Sequence, residues 1–282
     1  MPYSTRQTFI SLHDHTGNAM YLRFWDVLVK LNLPTTEDSL HFRFQFRSFL
    51  DSTADRPDIQ LDFGVNASLP WHQALLNPAV EKTIYISKPN STPLLYESWL
   101  ESSRLPTVLP PLWIAPFAGS FRAVHAACAA TPSAPEVAVV LTGASGTGKS
   151  SLLLALLQLG YKYVSDDLLP LRGQQILPYF RTMNIRDHTL RVLDEGLRQL
   201  VEEKSHAILT PSGHTYLVHP EDLGFQYTKH RAFDHFLLVR LVKAGTYRSV
   251  SAGRKLEIAW DALRHLPSAI RDIRDALEKL GI

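Results

Sequence analysis

The chain has 282 residues, of which 45% are hydrophobic and 20% are charged, as is usual for a globular protein. Its 29 basic and 27 acidic side chains give a formal net charge of +2, which favours neither nucleic-acid nor membrane binding but leaves a local basic groove open. Cys128 is the single cysteine, which excludes an intramolecular disulfide. Its alanine neighbours predict a buried position. The first ten residues lack a signal-peptide pattern, and the longest apolar stretch, 152–159, is too short to span a bilayer, so we expect a cytoplasmic protein.

The N-terminal third predicts a small mixed α/β domain. The stretches "IQLDFGV" and "KTIYISK" are typical of strands, whereas "MYLRFWDVLVKLNL" fits either a helix or a strand. In "LHFRFQFRSFL" the residues Phe42, Phe44 and Phe46 alternate with polar residues, which predicts a strand with one buried face. A run of prolines between 106 and 116 then predicts a boundary between an N-terminal domain, 1–112, and a second domain, 113–282.

The second domain begins with a pattern typical of an α/β sheet. "SFRAVHAACAA" and "EVAVVLTG" predict two strands, "SSLLLALLQLG" predicts a helix that ends at Gly160, and "YKYVSDD" predicts another strand. A strand, a glycine loop, a helix and a strand form a βαβ unit, so we expect parallel pairing. The C-terminus predicts an amphipathic helix, with apolar residues at helical spacing: Leu263, Leu266, Ile270, Ile273, Leu277 and Leu280.

The loop between the second strand and the helix carries the most specific motif. Gly143, Gly148, Lys149 and Ser150 fit G-x-x-x-x-G-K-[ST], the phosphate-binding P-loop. Its backbone N–H groups and the helix N-terminus attract phosphate, its lysine adds a positive charge, and its serine is suited to Mg²⁺. We therefore predict binding of a nucleoside triphosphate with Mg²⁺, with ATP as the expected donor and GTP left open. The predicted binding residues are those of the loop and the first helical turn: Gly143, Ala144, Ser145, Gly146, Thr147, Gly148, Lys149, Ser150 and Ser151.

Two adjacent carboxylates, Asp166 and Asp167, end the next predicted strand. The carboxyl ends of strands in an open α/β sheet line the ligand crevice, so the pair is expected to face the phosphates. Neighbouring residues of an extended chain point to opposite sides, which would let one carboxylate serve Mg²⁺ and the other an acceptor hydroxyl. An Asp-Asp turn without a function is the alternative.

Together these motifs resemble the HPr kinase/phosphorylase family. The segment "GASGTGKSSLLLALLQLGYKYVSDD" is similar to the family core, and "AVHAACAA" is similar to the strand with the family's active-site histidine, here His125. The resemblance implies a P-loop kinase core of the HPr kinase type. It implies that Asp167 accepts the proton of the substrate hydroxyl, that Asp166 serves the metal, and that His125 supports Asp166 or the phosphates.

In place of the family's arginine-glycine-leucine-glycine signature this chain has "LPYFRTMNIRD". Arg181 and Arg186 in this segment are candidates to neutralise the transferring phosphate, or else surface arginines. The chain is more similar to stand-alone HPr-kinase-related proteins, some of which modify ribosomally made precursor peptides such as lasso peptides. We therefore predict a phosphotransferase whose partner is a peptide or small protein, phosphorylated on a hydroxyl such as serine. A small-metabolite kinase and a nucleotide-gated binding protein remain the alternatives, and homo-oligomerisation stays open.

Overall fold

The computed structural model describes residues 18–52, 56–65, 70, 82–87, 94–96, 121–210 and 213–282. The chain is mixed α/β and divides into two compact units. One comprises Met1–Arg43 and Leu50–Leu105, and the other comprises Phe44–Phe49 and Pro106–Ile282. The domain boundary predicted at 112/113 lies outside the described residues.

The first unit is built on a five-stranded sheet in the order β1-β2-β3-β4-β5. Its strands are β1 (Ala19–Phe24), β2 (Val27–Asn32), β3 (Ile59–Val65), β4 (Lys82–Ser87) and β5 (Leu94–Tyr96). Neighbouring strands are antiparallel except β2 and β3, which are parallel. The strands predicted in "IQLDFGV" and "KTIYISK" are confirmed. The ambiguous stretch 20–33 forms a hairpin that turns at Trp25, whose φ is +56°.

The strand predicted across "LHFRFQFRSFL" is wrong, because helix α1 occupies Thr36–Gln45 and a 3₁₀ turn follows at Arg47–Phe49. The helix begins with a reciprocal cap, since the Asp38 backbone N–H donates to Thr35 Oγ1 (3.0 Å) and the Thr35 hydroxyl donates to Asp38 (2.7 Å). Phe42 and Phe46, four residues apart, are both buried. A spacing of four residues fits one face of a helix as well as one face of a strand. The cap at Thr35 is the feature that favours the helix.

From Phe121 onward, the described residues of the second unit form twelve strands, four α-helices and a 3₁₀ helix at Pro220–Leu223. The strands and α-helices are given next in chain order. They are β6 (Phe121–Val124), β7 (Ala126–Ala130), β8 (Val137–Thr142), α2 (Lys149–Gln158), β9 (Lys162–Ser165), β10 (Leu169–Arg172), β11 (Gln175–Ile176), β12 (Met183–Arg186), α3 (Asp187–Leu190), α4 (Glu195–Lys204), β13 (His206–Thr210), β14 (Gly213–Val218), β15 (His235–Lys243), β16 (Arg248–Ala252), β17 (Lys255–Trp260) and α5 (Ala262–Glu278).

Its central sheet has six strands in the order β16-β17-β15-β8-β7-β9. Parallel pairing is present where β15 meets β8 and β17, whereas β7 is antiparallel to both of its neighbours. The observed β8–α2–β9 segment differs in one respect from the expected βαβ unit, whose two strands would pair directly. Its two strands, β8 and β9, run in the same direction, but β7 lies between them. Two three-stranded sheets, β11-β10-β6 and β12-β14-β13, complete the unit.

Helix α2 is held by the apolar core of this unit. Its leucines at 152, 153, 154, 156 and 157 are buried, and Ile273 and Leu277 of α5 belong to the same core cluster. The predicted C-terminal amphipathic helix is thus confirmed. Cys128 is buried on β7, as predicted, and burial raises the pKa of its thiol. Within the described ranges, no helix combines the length and the apolar character needed to cross a bilayer.

Candidate functional site

The glycine loop, residues 143–148, connects the end of β8 to the start of α2. Gly143, Gly146 and Gly148 all have positive φ, at +147°, +78° and +92°. At Gly143 a side chain is also excluded by space, because a Cβ atom there would lie 2.5 Å from the carbonyl oxygen of Leu241 on β15. The loop can therefore pass this close to the neighbouring strand only with glycine at its first position.

Two residues fix the far end of the loop. The Thr147 hydroxyl donates to the carbonyl of Ala144 (2.8 Å), and the buried indole of Trp260 donates from Nε1 to the carbonyl of Thr147 (2.7 Å). Trp260 ends β17, far from the loop in sequence, and the sequence carried no signal for this contact. These hydrogen bonds hold the loop backbone in shape before any ligand binds.

Lys149 and Ser150 occupy the first turn of α2. Lys149 is only 7% exposed, and its Nζ donates to the carbonyls of Gly143 (2.9 Å) and Ala144 (3.1 Å). Burial lowers the pKa of Lys149, while the carboxylates of Asp167 and Asp166 oppose that effect. The lysine therefore folds back over the loop at the positive end of the helix dipole.

The sequence predicts that Asp166 and Asp167 end the strand β9, but the strand ends before both of them, at Ser165. The strand stops at Ser165 because the chain turns there, with the Leu168 N–H donating to the Asp166 carbonyl (2.8 Å). Asp166 is 1% exposed, and it accepts from Ser150 Oγ (3.0 Å) and from the Asn184 backbone N–H (3.2 Å). Burial, together with the neighbouring charge of Asp167, raises its pKa.

Asp167 lies in the same turn, with φ at +67°. Its Oδ1 is 2.8 Å from His125 Nε2, while its Oδ2 accepts from Asn184 Nδ2 (3.3 Å) and is 3.6 Å from an Arg181 guanidinium nitrogen. Burial acts to raise the pKa of Asp167, but the His125 hydrogen bond and the charge of Arg181 outweigh it and lower the pKa to about 2. The carboxyl group is therefore ionised across the neutral range.

His125 sits in the bend between β6 and β7, and its side chain is 52% exposed. The family resemblance implied that it supports Asp166 or the phosphates. The structure instead pairs it with Asp167, because the turn after β9 directs Asp167 toward the bend and Asp166 toward Ser150.

The two candidate arginines are not equivalent. Arg186 lines the cleft, with its guanidinium 3.4 Å from the hydroxyl of Ser145. Arg181 is completely buried behind Asp167, and within the described residues none of its guanidinium nitrogens makes a hydrogen bond. Burial excludes the alternative of a surface arginine for Arg181. Arg181 is not among the residues that line the cleft, and its role toward phosphate stays a prediction.

One cleft brings the glycine loop and the partner side chains together. Its lining consists of loop and helix residues on one side and of residues from four other segments on the other: Ser145, Gly146, Gly148, Lys149, Ser150, His125, Asp167, Asn184, Arg186, His188 and Thr189. Of the other sequence candidates, Gly143, Ala144 and Thr147 shape the loop, Asp166 lies behind Ser150, and Ser151 contacts Thr189.

Sequence reasoning missed Asn184, His188 and Thr189 in the cleft lining. Each follows Arg181 closely in the chain, in a segment without a recognisable phosphate-binding pattern. Burial and the adjacent Arg186 charge lower the pKa of His188. Their places depend on the fold, which brings β12 and α3 to the same cleft as the glycine loop.

The oxygen groups at the loop suit a magnesium ion. The Ser150 hydroxyl donates its hydrogen bond to Asp166, so its oxygen lone pairs remain available toward the cleft, which Ser150 lines. No group of three or more His, Cys, Asp or Glu residues positioned to hold a metal exists among the described residues. Mg²⁺ commonly binds proteins through one or two oxygen ligands and completes its shell with water and substrate phosphates, so the residues present fit it.

Comparisons with known proteins add little. No protein-family model matches the sequence, and no curated protein matches it. Among solved structures, the chain is similar to the Hpr(Ser) kinase/phosphatase from Coxiella burnetii, with 20% sequence identity over 57% of this chain and 93% of that chain, and a TM-score of 0.32. A TM-score of this size assigns neither a family nor a function, so the family resemblance stays a prediction.

Proposed function

We propose that this protein is a Mg²⁺-dependent kinase that transfers the γ-phosphoryl group of ATP to a hydroxyl, such as serine, of a peptide or small protein. The observation that carries the proposal is the single cleft in which the glycine loop faces an ionised, partly exposed carboxylate, Asp167. Binding of a triphosphate with Mg²⁺ would account for the loop and for one carboxylate beside Ser150, which Asp166 supplies. The second carboxylate, Asp167, lines the cleft and is left to serve an acceptor.

The glycine loop and Lys149 hold the phosphates in this proposal. Backbone N–H groups and the N-terminus of α2 bind the phosphate oxygens, and Lys149 exchanges its two carbonyl contacts for the triphosphate. Arg186 stands at the other side of the cleft, where a guanidinium can pair with phosphoryl oxygens. Mg²⁺ at Ser150 would neutralise the developing negative charge.

Asp167 serves the acceptor in this proposal. A bond forms between the acceptor oxygen and the γ-phosphorus, the bond from that phosphorus to the β-phosphate oxygen breaks, and the acceptor proton passes to the Asp167 carboxylate. With a pKa of about 2, Asp167 is a weak base, but the hydroxyl becomes strongly acidic as its oxygen bonds to phosphorus. Its larger contribution is therefore to orient the acceptor, as expected for a loose transition state.

The choice of a peptide acceptor depends on the sequence resemblance, supported by the openness of this side of the cleft. The side chains of His125 and Asp167 are 52% and 33% exposed, so a hydroxyl on a larger molecule can approach Asp167. A small-metabolite acceptor would meet the same two side chains and follow the same chemistry.

The test is incubation of the protein with Mg²⁺, γ-labelled ATP and a library of serine-containing peptides. We expect label on peptide, lost in Lys149→Ala and retained in Lys162→Ala, whose lysine contacts Gln226 outside the cleft. Release of free labelled phosphate without peptide labelling would indicate a hydrolytic switch and overturn the kinase proposal. In a parallel incubation with a mixture of hydroxyl-bearing small metabolites, label on a metabolite would retain phosphoryl transfer but correct the acceptor.

A further inference from the structure

One residue, Asn184, contacts both carboxylates of the candidate site through different atoms. Its backbone N–H donates to Asp166 Oδ2 (3.2 Å), and its side-chain Nδ2 donates to Asp167 Oδ2 (3.3 Å). Asn184 is on β12, between Met183 and Ile185, which are both fully buried in the core. Side chains alternate between the two faces of a strand, so Met183 and Ile185 point into the core while Asn184 points toward the cleft.

The Arg181 guanidinium also lies near Asp167 Oδ2, but beyond hydrogen-bonding distance. The nearest Arg181 nitrogen is 3.6 Å away, longer than the usual 2.7–2.9 Å of a hydrogen-bonded ion pair, and the buried guanidinium makes no hydrogen bond within the described residues. A buried charge without hydrogen bonds strongly favours closer pairing. The Asn184 amide, 3.3 Å from the same oxygen, is a donor placed to hold the carboxylate in its present orientation.

We propose that Asn184 is a positioning residue that keeps the Asp167 carboxylate facing the cleft and out of a closed ion pair with Arg181. The amide donor competes with the guanidinium for Oδ2, while His125 holds Oδ1. The backbone N–H of Asn184 orients Asp166 separately, so a side-chain substitution affects only Asp167. The kinetic part of this inference rests on the proposed kinase function, whereas the structural part does not.

Crystal structures of the unliganded wild type and Asn184→Ala test the structural part. We expect Asp167 Oδ2 to move to hydrogen-bonding distance from Arg181 in the variant, while the Ser150–Asp166 contact remains. Asn184→Asp is the second variant. It is nearly isosteric and removes the donor, and its charge would push Asp167 in the same direction. If Oδ2 stays at its wild-type distance from Arg181 in the variants that fold, the proposal is overturned.

Kinetics provide the second measurement. In Asn184→Ala we expect kcat to fall about 10- to 100-fold, the range for a lost hydrogen bond to a charged group, while Mg·ATP affinity stays unchanged. Gln158→Ala is the matched control, because it removes an amide donor to a carboxylate, Asp194, at the far end of α2. A parallel loss of Mg·ATP affinity would contradict the separation of the two carboxylates. If the wild type transfers no phosphate but Asp167 moves as expected, the positioning role stands and the kinase proposal fails.

Discussion

Gly143→Ala should disrupt the glycine loop far more than Gly146→Ala. Both residues have positive φ, so alanine is strained at either position. Only at position 143 does the new methyl group also meet other atoms, at 2.5 Å from the Leu241 carbonyl oxygen and 2.8 Å from Thr147 Oγ1. Around Gly146 nothing lies within 4 Å, which makes Gly146→Ala the matched control for backbone strain alone.

The size of the difference follows from what must move. The positive φ costs alanine about 1–3 kcal/mol at either position. At Gly143 the overlap with Leu241 adds about 1–3 kcal/mol, as for other overpacked sites. The neighbouring oxygen belongs to the backbone of β15, which is paired on both sides within the central sheet and cannot easily shift. The added strain should therefore shift the start of the loop and weaken its internal hydrogen bond from the Thr147 hydroxyl to the Ala144 carbonyl.

The assay is thermal unfolding combined with calorimetric titration of Mg·ATP. Gly143→Ala should lower the melting temperature by several degrees more than Gly146→Ala, since about 1 kcal/mol corresponds to about 2–4 °C in a domain of 150–250 residues. It should also lose most nucleotide affinity. Equal melting temperatures for the two variants would refute the close approach of the loop to β15.

Four further outcomes are expected. Lys149→Ala should weaken ATP binding about 10- to 100-fold by calorimetry, because it removes a charged donor to phosphate; normal affinity would contradict the P-loop assignment. Asp167→Asn should lower turnover about 10²- to 10⁴-fold with Mg·ATP affinity retained, whereas Asp166→Asn should weaken that affinity; the reverse pattern would exchange their roles. Because the pKa of Asp167 is lowered to about 2, its contribution to stability is present above about pH 4, the ordinary aspartate value, and is lost as the pH falls toward 2. Asp167→Asn should flatten acid unfolding curves in that window, and an unchanged acid limb would refute the lowered pKa. Trp260→Phe leaves the Thr147 carbonyl without its donor and should cost about 1–3 kcal/mol in urea unfolding, and an unchanged midpoint would show that the loop does not need this bond.

Local patterns in the sequence predicted the parts of the fold that depend on neighbouring residues. The glycine loop, the helix after it and the C-terminal helix follow from spacing and composition over short stretches. The helix at Thr36–Gln45 was missed because Phe42 and Phe46 satisfy both the strand and the helix period. The threonine cap at Thr35 separates the two periods, and it precedes the stretch 40–50 by five residues.

The partners of the candidate site could not be predicted because they meet only through the fold. His125 reaches Asp167 rather than Asp166 because of a turn after β9 that shortens the predicted strand. Asn184 joins the site only because β12 lies beside that turn. Arg181 resembled a phosphate ligand in the sequence, yet the core buries it behind the carboxylate. Each of these positions depends on contacts between residues distant in the chain.

The most direct test of the central claim is the fate of the γ-phosphoryl group. ATP labelled with ¹⁸O in that group is incubated with the protein and Mg²⁺, in one reaction with serine peptides and in another with hydroxyl-bearing metabolites, and mass spectrometry then locates the label. The cleft that joins Lys149 to Asp167 predicts labelled phosphoserine, dependent on Mg²⁺ and lost in Lys149→Ala. Tight, Mg²⁺-dependent ATP binding with no label on any peptide or metabolite hydroxyl would contradict phosphoryl transfer in this cleft.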